Sequence, residues 1–308
     1  MAITAKDVQK LREMTGVGMM DCKKALTASE GDIDKAIEWL REKGLAAQTK
    51  KAGKVAAEGV SYAIVADNGV GVVIEVNSQT DFVAKNEVFQ AFVKDLALVV
   101  ANENPADVEA LKACTYPGTD RTVSDVTADK VLAIGENIQI RRFVRYAEGV
   151  NVPYIHMGGK IGVLLLVENN NPATFGADAF RTFYHDVALQ IAAAKPSYVR
   201  KEEVPTEALN KEREILRAQA LNEGKPEKIV DKMVEGRIEK YYKEVCLLEQ
   251  PLVKDPDKSI AKLMGEVAKE IGAELNVVSF ERFERGEGIE KRKDNFAEEI
   301  AAQMAAKK

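Results

Sequence analysis

The sequence lacks the residue patterns that mark most enzymes and metal-binding proteins. It contains two histidines, His156 and His185, and neither lies in a Ser, Cys or Asp pattern that suggests a catalytic triad. No His-x-x-His or Cys-x-x-Cys spacing suggests a metal site. The three cysteines are odd in number and widely spaced, which fits a reducing compartment and excludes a disulfide framework: Cys22, Cys114 and Cys246. We therefore predict no catalytic residue, no metal and no cofactor.

Long apolar runs and a basic excess are also missing. No run approaches the length of a membrane span, and the N-terminus has neither an apolar signal core nor an Arg-rich leader. The net charge of −5 argues against a general nucleic-acid binder. Residues 158–162 (GGKIG) lack the spacing of a phosphate-binding loop, so we interpret them as a hairpin turn without direct nucleotide binding. We expect a cytoplasmic protein without membrane contact; a bacterial cytoplasm is favoured, and a processed organellar form is the alternative.

The chain does contain an internal repeat. The apolar segments that begin at Gly71 and Gly162 are each followed by a Phe-x-x-Phe-x-x-Asp pattern, beginning at Phe89 and Phe180, so the offset between copies is constant at 91. A strand and a helix that are kept in both copies indicate a scaffold of two related α+β halves. The connection differs between the copies, and residues 80–86 (TDFVAKN) occur in the first alone. We therefore expect this connection to carry a function that the second copy lacks.

The flanking segments are predicted to be helical. Ile33, Ile37 and Leu40 lie on one helical stripe that Gly44 would end, so residues 1–44 are predicted to form three short helices. The segment that follows is predicted to be a linker with some helical tendency, and it carries a weak basic cluster of Lys50, Lys51 and Lys54. This cluster is either a solvated surface or a contact with an acidic partner or RNA.

The later part of the chain is predicted to contain an inserted helical hairpin. Its second helix carries apolar residues near multiples of four, at Ile229, Met233, Tyr241 and Val245. We expect the hairpin to project or to pack on a partner, with self-association as one possibility. The strand that follows it, near residues 275–283, is predicted to rejoin the sheet of the second repeat.

Together these patterns predict an α+β protein built from several parts. The predicted parts are a three-helix domain (1–45), a linker (46–58), a first core half (59–147), a second core half (148–200 and 250–288), an inserted helical hairpin (201–249) and a C-terminal helical module (289–308).

The connection between strand and helix in the first repeat leaves three interpretations open. Asp81 could cap the following helix by accepting backbone N–H bonds. Phe82 could fold back into the core. Alternatively, Phe82 could stand at the tip of a rigid turn and fill a pocket in a partner, as interface hot-spot residues do.

A second candidate contact lies near the N-terminus. Met19 and Met20 are adjacent, and neighbouring positions on a helix point about 100° apart, so both cannot face one core. We expect one of them to be exposed, where methionine suits an adaptable contact surface. Arg12 lies shortly before Gly16 and Gly18, where the first predicted helix is interrupted. Ordinary helix packing is the alternative for all three residues.

Two longer motifs carry a specific resemblance. Residues 11–26 read LREMTGVGMMDCKKAL and residues 75–85 read EVNSQTDFVAK, and both closely resemble signatures of the elongation factor Ts family. Shorter matches occur at residues 51–53, 134–138 and 286–291. The resemblance covers essentially the whole chain.

The resemblance implies both a fold and a function. The implied fold is a ubiquitin-associated-like three-helix domain, a core of two related α+β halves with antiparallel sheets, an inserted coiled-coil hairpin and a C-terminal helical module. The implied function is guanine-nucleotide exchange on elongation factor Tu, bound in its GDP-bound and nucleotide-free forms. Such a factor is not an enzyme that makes or breaks bonds. The turn formed by Thr80, Asp81, Phe82 and Val83 would enter the partner near its magnesium and phosphate site, displace Mg²⁺ and GDP, and be released when GTP binds.

The resemblance also implies further contacts with the partner. These are Arg12, Met19, Met20 and Lys23 in the three-helix domain, Ile134, Gly135 and His156 in the core, Lys51 in the linker, and the terminal residues 295–305. The second copy's connection, residues 171–175 (NPATF), departs from the motif and inherits no such role.

Three other classes of protein fit the sequence less well. A hydrolase or transferase would need a nucleophile constellation. An adaptor would bind ubiquitin or peptides through residues 1–50 alone. A structural coiled-coil protein would leave residues 80–86 without a purpose.

Overall fold

The computed structural model describes residues 3–290 of the chain, and that range forms a mixed α+β protein. It contains eleven α-helices and two three-stranded antiparallel sheets. None of the helices between residues 3 and 290 combines the length and the apolar character needed to cross a membrane. The predicted C-terminal helix, including residues 295–305, lies outside the described residues.

Three helices form the N-terminal bundle: α1 (Ala5–Thr15), α2 (Met19–Ala28) and α3 (Ile33–Lys51). Thr4 and Asp7 make a complete capping box at the start of α1, since each side chain accepts a hydrogen bond from the other residue's backbone N–H. The buried side chains of Leu11, Leu26 and Leu40 meet in a small core of their own. Three short helices were predicted here, although the ubiquitin-associated-like character remains a prediction.

The prediction that Gly44 ends the third helix is wrong. Helix α3 continues to Lys51, so the segment predicted as a linker is helical in its first part. Gly44 is buried against α7 (Val123–Ile134), where a Cβ atom would lie 3.1 Å from the carbonyl oxygen of Ala128. Glycine therefore allows two helices to approach closely here and does not stop the chain.

The first sheet has the order β1-β2-β3. Its strands are β1 (Glu58–Val65), β2 (Gly71–Ser78) and β3 (Gln139–Tyr146). Between β2 and β3 lie four helices: α4 (Asp81–Ala84), α5 (Glu87–Glu103), α6 (Val108–Ala113) and α7. Helix α5 packs Phe89, Phe92 and Leu96 on one face of the sheet, in a core that also contains Ile74.

The second sheet has the order β4-β5-β6. Its strands are β4 (Val150–His156), β5 (Ile161–Asn169) and β6 (Leu275–Glu284). Helices α8 (Asp178–Ala194) and α11 (Ile260–Ile271) cover it, with Phe180 and Phe183 in the core. The prediction that the late strand rejoins this sheet is confirmed, because β6 pairs with β5.

The 91-residue repeat persists in three dimensions. The central strand of each sheet has a register shift at the same place, after Glu75 in β2 and after Leu166 in β5. The residues that end α5 and α8, Asn104 and Lys195, both have left-handed backbone conformations. The scaffold is therefore repeated down to its bulges and helix ends.

The two sheets pack face to face, with their helices on the outer faces. Ala63, Val73, Leu164 and Phe283 form the apolar contact between the sheets. Both faces of β2 are consequently buried, which explains why consecutive residues such as Val72, Val73 and Ile74 are apolar and do not alternate with polar ones.

A buried carboxylate also joins the two halves. The side chain of Glu75 has no exposure; its Oε1 accepts hydrogen bonds from Gly286 N at 2.7 Å, Arg141 Nη1 at 2.9 Å and Asn77 Nδ2 at 3.0 Å. Its Oε2 accepts one from Arg142 Nε at 2.7 Å. A buried charge needs such compensation, and removing one partner would be costly.

The inserted segment forms an antiparallel pair, α9 (Thr206–Asn222) and α10 (Glu227–Val245). Val230, Val234 and Ile238 are the buried residues of α10 and pack on α9. The stripe predicted from the sequence is displaced by one position, and Ile229 is 46% exposed. Coiled-coil character and self-association through this segment remain predictions, as do the boundaries between the predicted domains.

Candidate protein-interaction site

The short helix α4 presents Phe82 to solvent. The ring is 80% exposed, whereas the next two residues, Val83 and Ala84, are buried in the first core. Because neighbouring helical positions point about 100° apart, burial of these two residues turns Phe82 outward. The alternative in which Phe82 folds into the core is therefore wrong. The alternative in which Asp81 caps the following helix is also wrong, because Asn86 is the residue whose side chain caps α5.

Asp81 lies beside the exposed ring as an anion. Its Oδ2 accepts a hydrogen bond from Lys85 Nζ at 2.7 Å, one helical turn later. This bond is the main cause that holds the pKa of the Asp81 carboxyl below its usual value, and slight desolvation opposes it. The tip of the turn therefore carries an aromatic ring next to a carboxylate that is ionised at neutral pH.

The Phe82 turn, which we define as residues 79–86, is held from outside by Glu136. One carboxylate oxygen of Glu136 accepts hydrogen bonds from the backbone N–H groups of Gln79 and Thr80, both at 3.0 Å. The other accepts one from Thr80 Oγ1 at 2.6 Å. In return, Gln79 Oε1 accepts a hydrogen bond from Asn137 N at 2.9 Å. The turn is thus fixed before any partner binds.

The following helix starts from a side-chain cap. Asn86 Oδ1 accepts hydrogen bonds from the backbone N–H groups of Val88 at 2.9 Å and Phe89 at 3.2 Å. Val88 is itself exposed and apolar. The cap ends the Phe82 turn at a defined point and adds an apolar side chain to its surface.

A cleft of about 790 Å³ lies between the N-terminal bundle and the first core half. Phe82, Val83 and Ile134 line it on one side, and Met14 at the end of α1 and Gly16 in the α1–α2 connection line it on the other. The structure thus brings together two segments that the sequence analysis singled out separately. Met14 and Val88 were missed, because a single apolar residue near the end of a helix gives no distinctive pattern.

The other predicted residues of the bundle are on its surface. Met19 is 48% and Met20 68% exposed, so both are exposed where one was expected. Met20 lies opposite the buried Cys22, Ala25 and Leu26, whereas Met19 shares a face with Cys22 and Leu26 but is the first residue of α2. Arg12 and Lys23 are exposed as well.

Lys51 contacts the core of its own chain. Its Nζ donates a hydrogen bond to the carbonyl oxygen of Gly135, the left-handed residue that ends α7. Burial, followed by the charge of Lys54, lowers the pKa of the Lys51 ammonium. The end of α3 and the end of α7 are therefore joined directly behind the Phe82 turn.

His156 lies elsewhere, at the end of β4. Its Nδ1 is 3.1 Å from the hydroxyl oxygen of Tyr154, and the Tyr154 ring also meets His185 edge-on at 5.5 Å. The next residue, Met157, is exposed at the hairpin turn. No contact described among residues 3–290 joins His156 to Phe82, so the predicted contact residues fall into at least two groups.

The corresponding connection in the second repeat has a different structure. Residues Pro172–Thr174 form a single 3₁₀ turn, and Phe175 stacks on Phe180 with ring centroids 5.8 Å apart. Phe175 is 37% exposed, less than half as much as Phe82. The second copy therefore folds its aromatic ring back on its own helix.

An exposed ring on a fixed turn beside a cleft is typical of a surface that binds another protein. The sequence matches the profile of the family described as Elongation factor TS over residues 79–287. The chain belongs to the elongation factor Ts family, whose members are translation elongation factors.

Individual relatives agree with this assignment over nearly the whole chain. The chain is 55% identical over 304 residues to Elongation factor Ts of Clostridium perfringens (strain ATCC 13124), covering 97% of this chain and 98% of that protein. It is 52% identical over 305 residues to Elongation factor Ts of Clostridium botulinum (strain Eklund 17B), covering 98% and 99%. The Syntrophotalea carbinolica protein of the same name is 49% identical over 305 residues, again covering 98% and 99%.

Proposed function

We propose that this chain is a guanine-nucleotide exchange factor for elongation factor Tu, and that the Phe82 turn is its principal contact. The observation that carries the proposal is the 80% exposure of Phe82 on a turn that Glu136 and two buried neighbours hold in place. An aromatic side chain on a rigid turn loses little entropy when it docks, so most of its burial contributes to binding.

The physical basis of exchange is thermodynamic linkage. Suppose that a protein binds nucleotide-free elongation factor Tu more tightly than the GDP-bound form. It must then weaken the binding of GDP to elongation factor Tu by the same ratio. Each tenfold of weakening corresponds to about 1.4 kcal/mol. The chain therefore needs no acid, base or nucleophile for this task, and it acts by binding and not as an enzyme that changes bonds.

Two groups of the Phe82 turn suit this task. The Phe82 ring would insert into a packed region of the partner and shift the elements that hold magnesium and phosphate. Asp81 would place a carboxylate near that site, and its negative charge would repel the phosphate oxygens of GDP. Loss of the magnesium ion removes the largest local counter-charge of the β-phosphate, so GDP leaves faster and GTP later displaces the factor.

The remaining predicted residues would form the rest of the contact. Arg12, Met19, Met20 and Lys23 would dock from the N-terminal bundle. Ile134, Gly135 and His156 would contact the partner from the core. Lys51 would act from within the protein, since its ammonium group binds the Gly135 carbonyl oxygen.

The test is stopped-flow release of fluorescent GDP from elongation factor Tu, with and without this chain. We expect the intact chain to accelerate release, and Phe82→Ala to reduce that acceleration about fivefold, as loss of one interface anchor does. Phe82→Ala should leave the thermal unfolding midpoint nearly unchanged, since the ring is exposed.

The matched control is Val253→Ala, because Val253 is an exposed apolar residue outside every predicted contact. It should exchange like the intact chain. Full exchange by Phe82→Ala would refute the role of the ring, and absence of acceleration by the intact chain would refute the function.

A further inference from the structure

We propose that Glu136 is a positioning residue that fixes the Phe82 turn in the geometry from which it docks. This proposal rests on the proposed exchange function and adds a residue to which the motif resemblance gives no role. Glu136 would not touch the partner's nucleotide site itself. It would act through Phe82.

The first argument is the number and kind of its hydrogen bonds. The Glu136 carboxylate accepts two backbone N–H bonds, from Gln79 and Thr80, and one from the Thr80 hydroxyl. Charge-assisted bonds of this kind are about twice as strong as neutral ones. All three donors belong to the two residues that precede Asp81, so the carboxylate sets the direction in which α4 leaves the strand.

The second argument is what stands behind Glu136. The residue before it, Gly135, ends α7 with a left-handed backbone and accepts a hydrogen bond from Lys51. The residue after it, Asn137, donates from Nδ2 to the Lys54 carbonyl oxygen at 2.8 Å. The segment that holds the Phe82 turn is therefore fastened to the end of α3, and α3 belongs to the bundle that carries Met19 and Met20.

The consequence is that both predicted contact elements share one support. The Phe82 turn is held by Glu136, and the N-terminal bundle is joined to the flanking residues, Gly135 and Asn137. Without the carboxylate, the N–H groups of Gln79 and Thr80 would turn to water and the turn would sample more conformations. Fewer of these conformations would present the ring correctly, so docking would lose its pre-organisation.

The competing explanation is that Glu136 merely stabilises the fold. In that case its loss would lower the stability of the protein, but its effect on exchange would be independent of Phe82. A positioning residue and the residue that it positions show coupled effects, whereas independent residues show effects that multiply.

The experiment is a double-mutant cycle in the GDP-release assay with the full-length chain. It compares the intact chain, Glu136→Ala, Phe82→Ala and the double variant, each with its thermal unfolding curve. We expect Glu136→Ala to slow exchange about threefold, no more than Phe82→Ala does, because it acts through that ring. The double variant should lie within about twofold of Phe82→Ala alone.

A conservative variant and a matched control complete the design. Glu136→Gln keeps an acceptor oxygen for the two backbone N–H groups and should recover most of the activity. Asn169→Ala removes two hydrogen bonds of 2.8 Å in the second repeat, one that Asn171 N donates to Asn169 Oδ1 and one that Asn169 Nδ2 donates to Thr174 Oγ1. It should affect stability without changing exchange. If Glu136→Ala does not fold, Thr80→Val takes its place in the cycle and removes the bond from Thr80 Oγ1.

The outcomes separate the two proposals. If the intact chain does not accelerate GDP release, the exchange function itself is wrong. If it does, and the Glu136 substitution either has no effect or multiplies with Phe82→Ala, the positioning role is overturned. Coupling together with recovery in Glu136→Gln supports it.

Discussion

The connection between the central strand and its covering helix has a different structure in each of the two repeats. Each joins a central strand to a covering helix through eight residues, 79–86 in the first copy and 170–177 in the second. The first connection is held by Glu136 from another segment and leaves Phe82 exposed. In the second, Asn169 Nδ2 donates a hydrogen bond to Thr174 Oγ1, Asn170 is hydrogen-bonded to the backbone of Glu274, and Phe175 packs on Phe180. The difference shows that the scaffold permits an exposed ring but does not require one.

The strongest test of this comparison is to exchange the connections. Replacing residues 79–86 with the sequence of residues 170–177 (NNPATFGA) keeps the length and the register of the repeat. We expect GDP release to fall by more than about tenfold, towards the spontaneous rate, because both the ring and its neighbouring carboxylate are lost.

Thermal unfolding of the chimera serves as its control. A folded chimera that keeps at least half of the exchange rate would show that the first connection is not special.

A second test compares the two rings by stability. Phe175→Ala should lower the free energy of unfolding by about 1–2 kcal/mol, because it removes a partly buried ring and its stacking on Phe180. Phe82→Ala should change it by less than about 0.5 kcal/mol, as for an exposed surface residue. Urea unfolding followed by circular dichroism measures both. Equal losses in the two variants would contradict the assignment of one ring to packing and the other to binding.

The smallest expected effect concerns a difference between the edge strands. Val144 pairs with Val73 in the first sheet, and Glu281 pairs with Leu164 at the corresponding place in the second. Burial raises the pKa of the Glu281 carboxyl, and the charge of Arg142 opposes this. Because the folded protein then holds the proton more tightly than the unfolded chain, the free energy of unfolding falls as pH rises from the ordinary glutamate value of 4.5 through the raised pKa.

Glu281→Gln should remove that decline. We expect the variant to match the intact chain near pH 4 and to exceed it at pH 7 by less than about 1 kcal/mol, since water screens a half-buried group. Urea unfolding at pH 4, 5.5 and 7 measures the difference. A variant that is less stable at pH 7 than the intact chain would overturn the prediction.

Much of the scaffold could be predicted because its signals are local or repeated. The repeated apolar segment and Phe-x-x-Phe-x-x-Asp pattern predict two strand–helix pairs, and both pairs are present as β2 with α5 and β5 with α8. Gly44 was misinterpreted because its role depends on the backbone of Ala128, which lies far along the chain. The buried face of α10 was missed because two sets of apolar residues with near-four spacing run along the same helix, and packing on α9 selects one of them.

The candidate site could likewise be predicted only in part from the sequence. The sequence singled out Phe82 but left its exposure open, since exposure depends on whether Val83 and Ala84 fill the core beneath it. Glu136, which holds the Phe82 turn, lies more than fifty residues later in the chain, and no local sequence pattern indicates this contact. Residues 11–26 gave Met19 and Met20 as candidates, and the structure was needed to show that both are exposed, because the i, i+3, i+7 spacing of Met19, Cys22 and Leu26 alone would place Met19 on the buried face.

The buried carboxylate of Glu75 has a consequence for the order in which this protein can fold as it leaves the ribosome. One of its hydrogen bonds comes from the backbone of Gly286, 211 residues later in the chain. The interior of the first half therefore cannot be completed while the second half is still being translated. Contacts that span so much of a chain form slowly. We expect the nascent first half to remain loosely packed until the closing turn emerges from the exit tunnel.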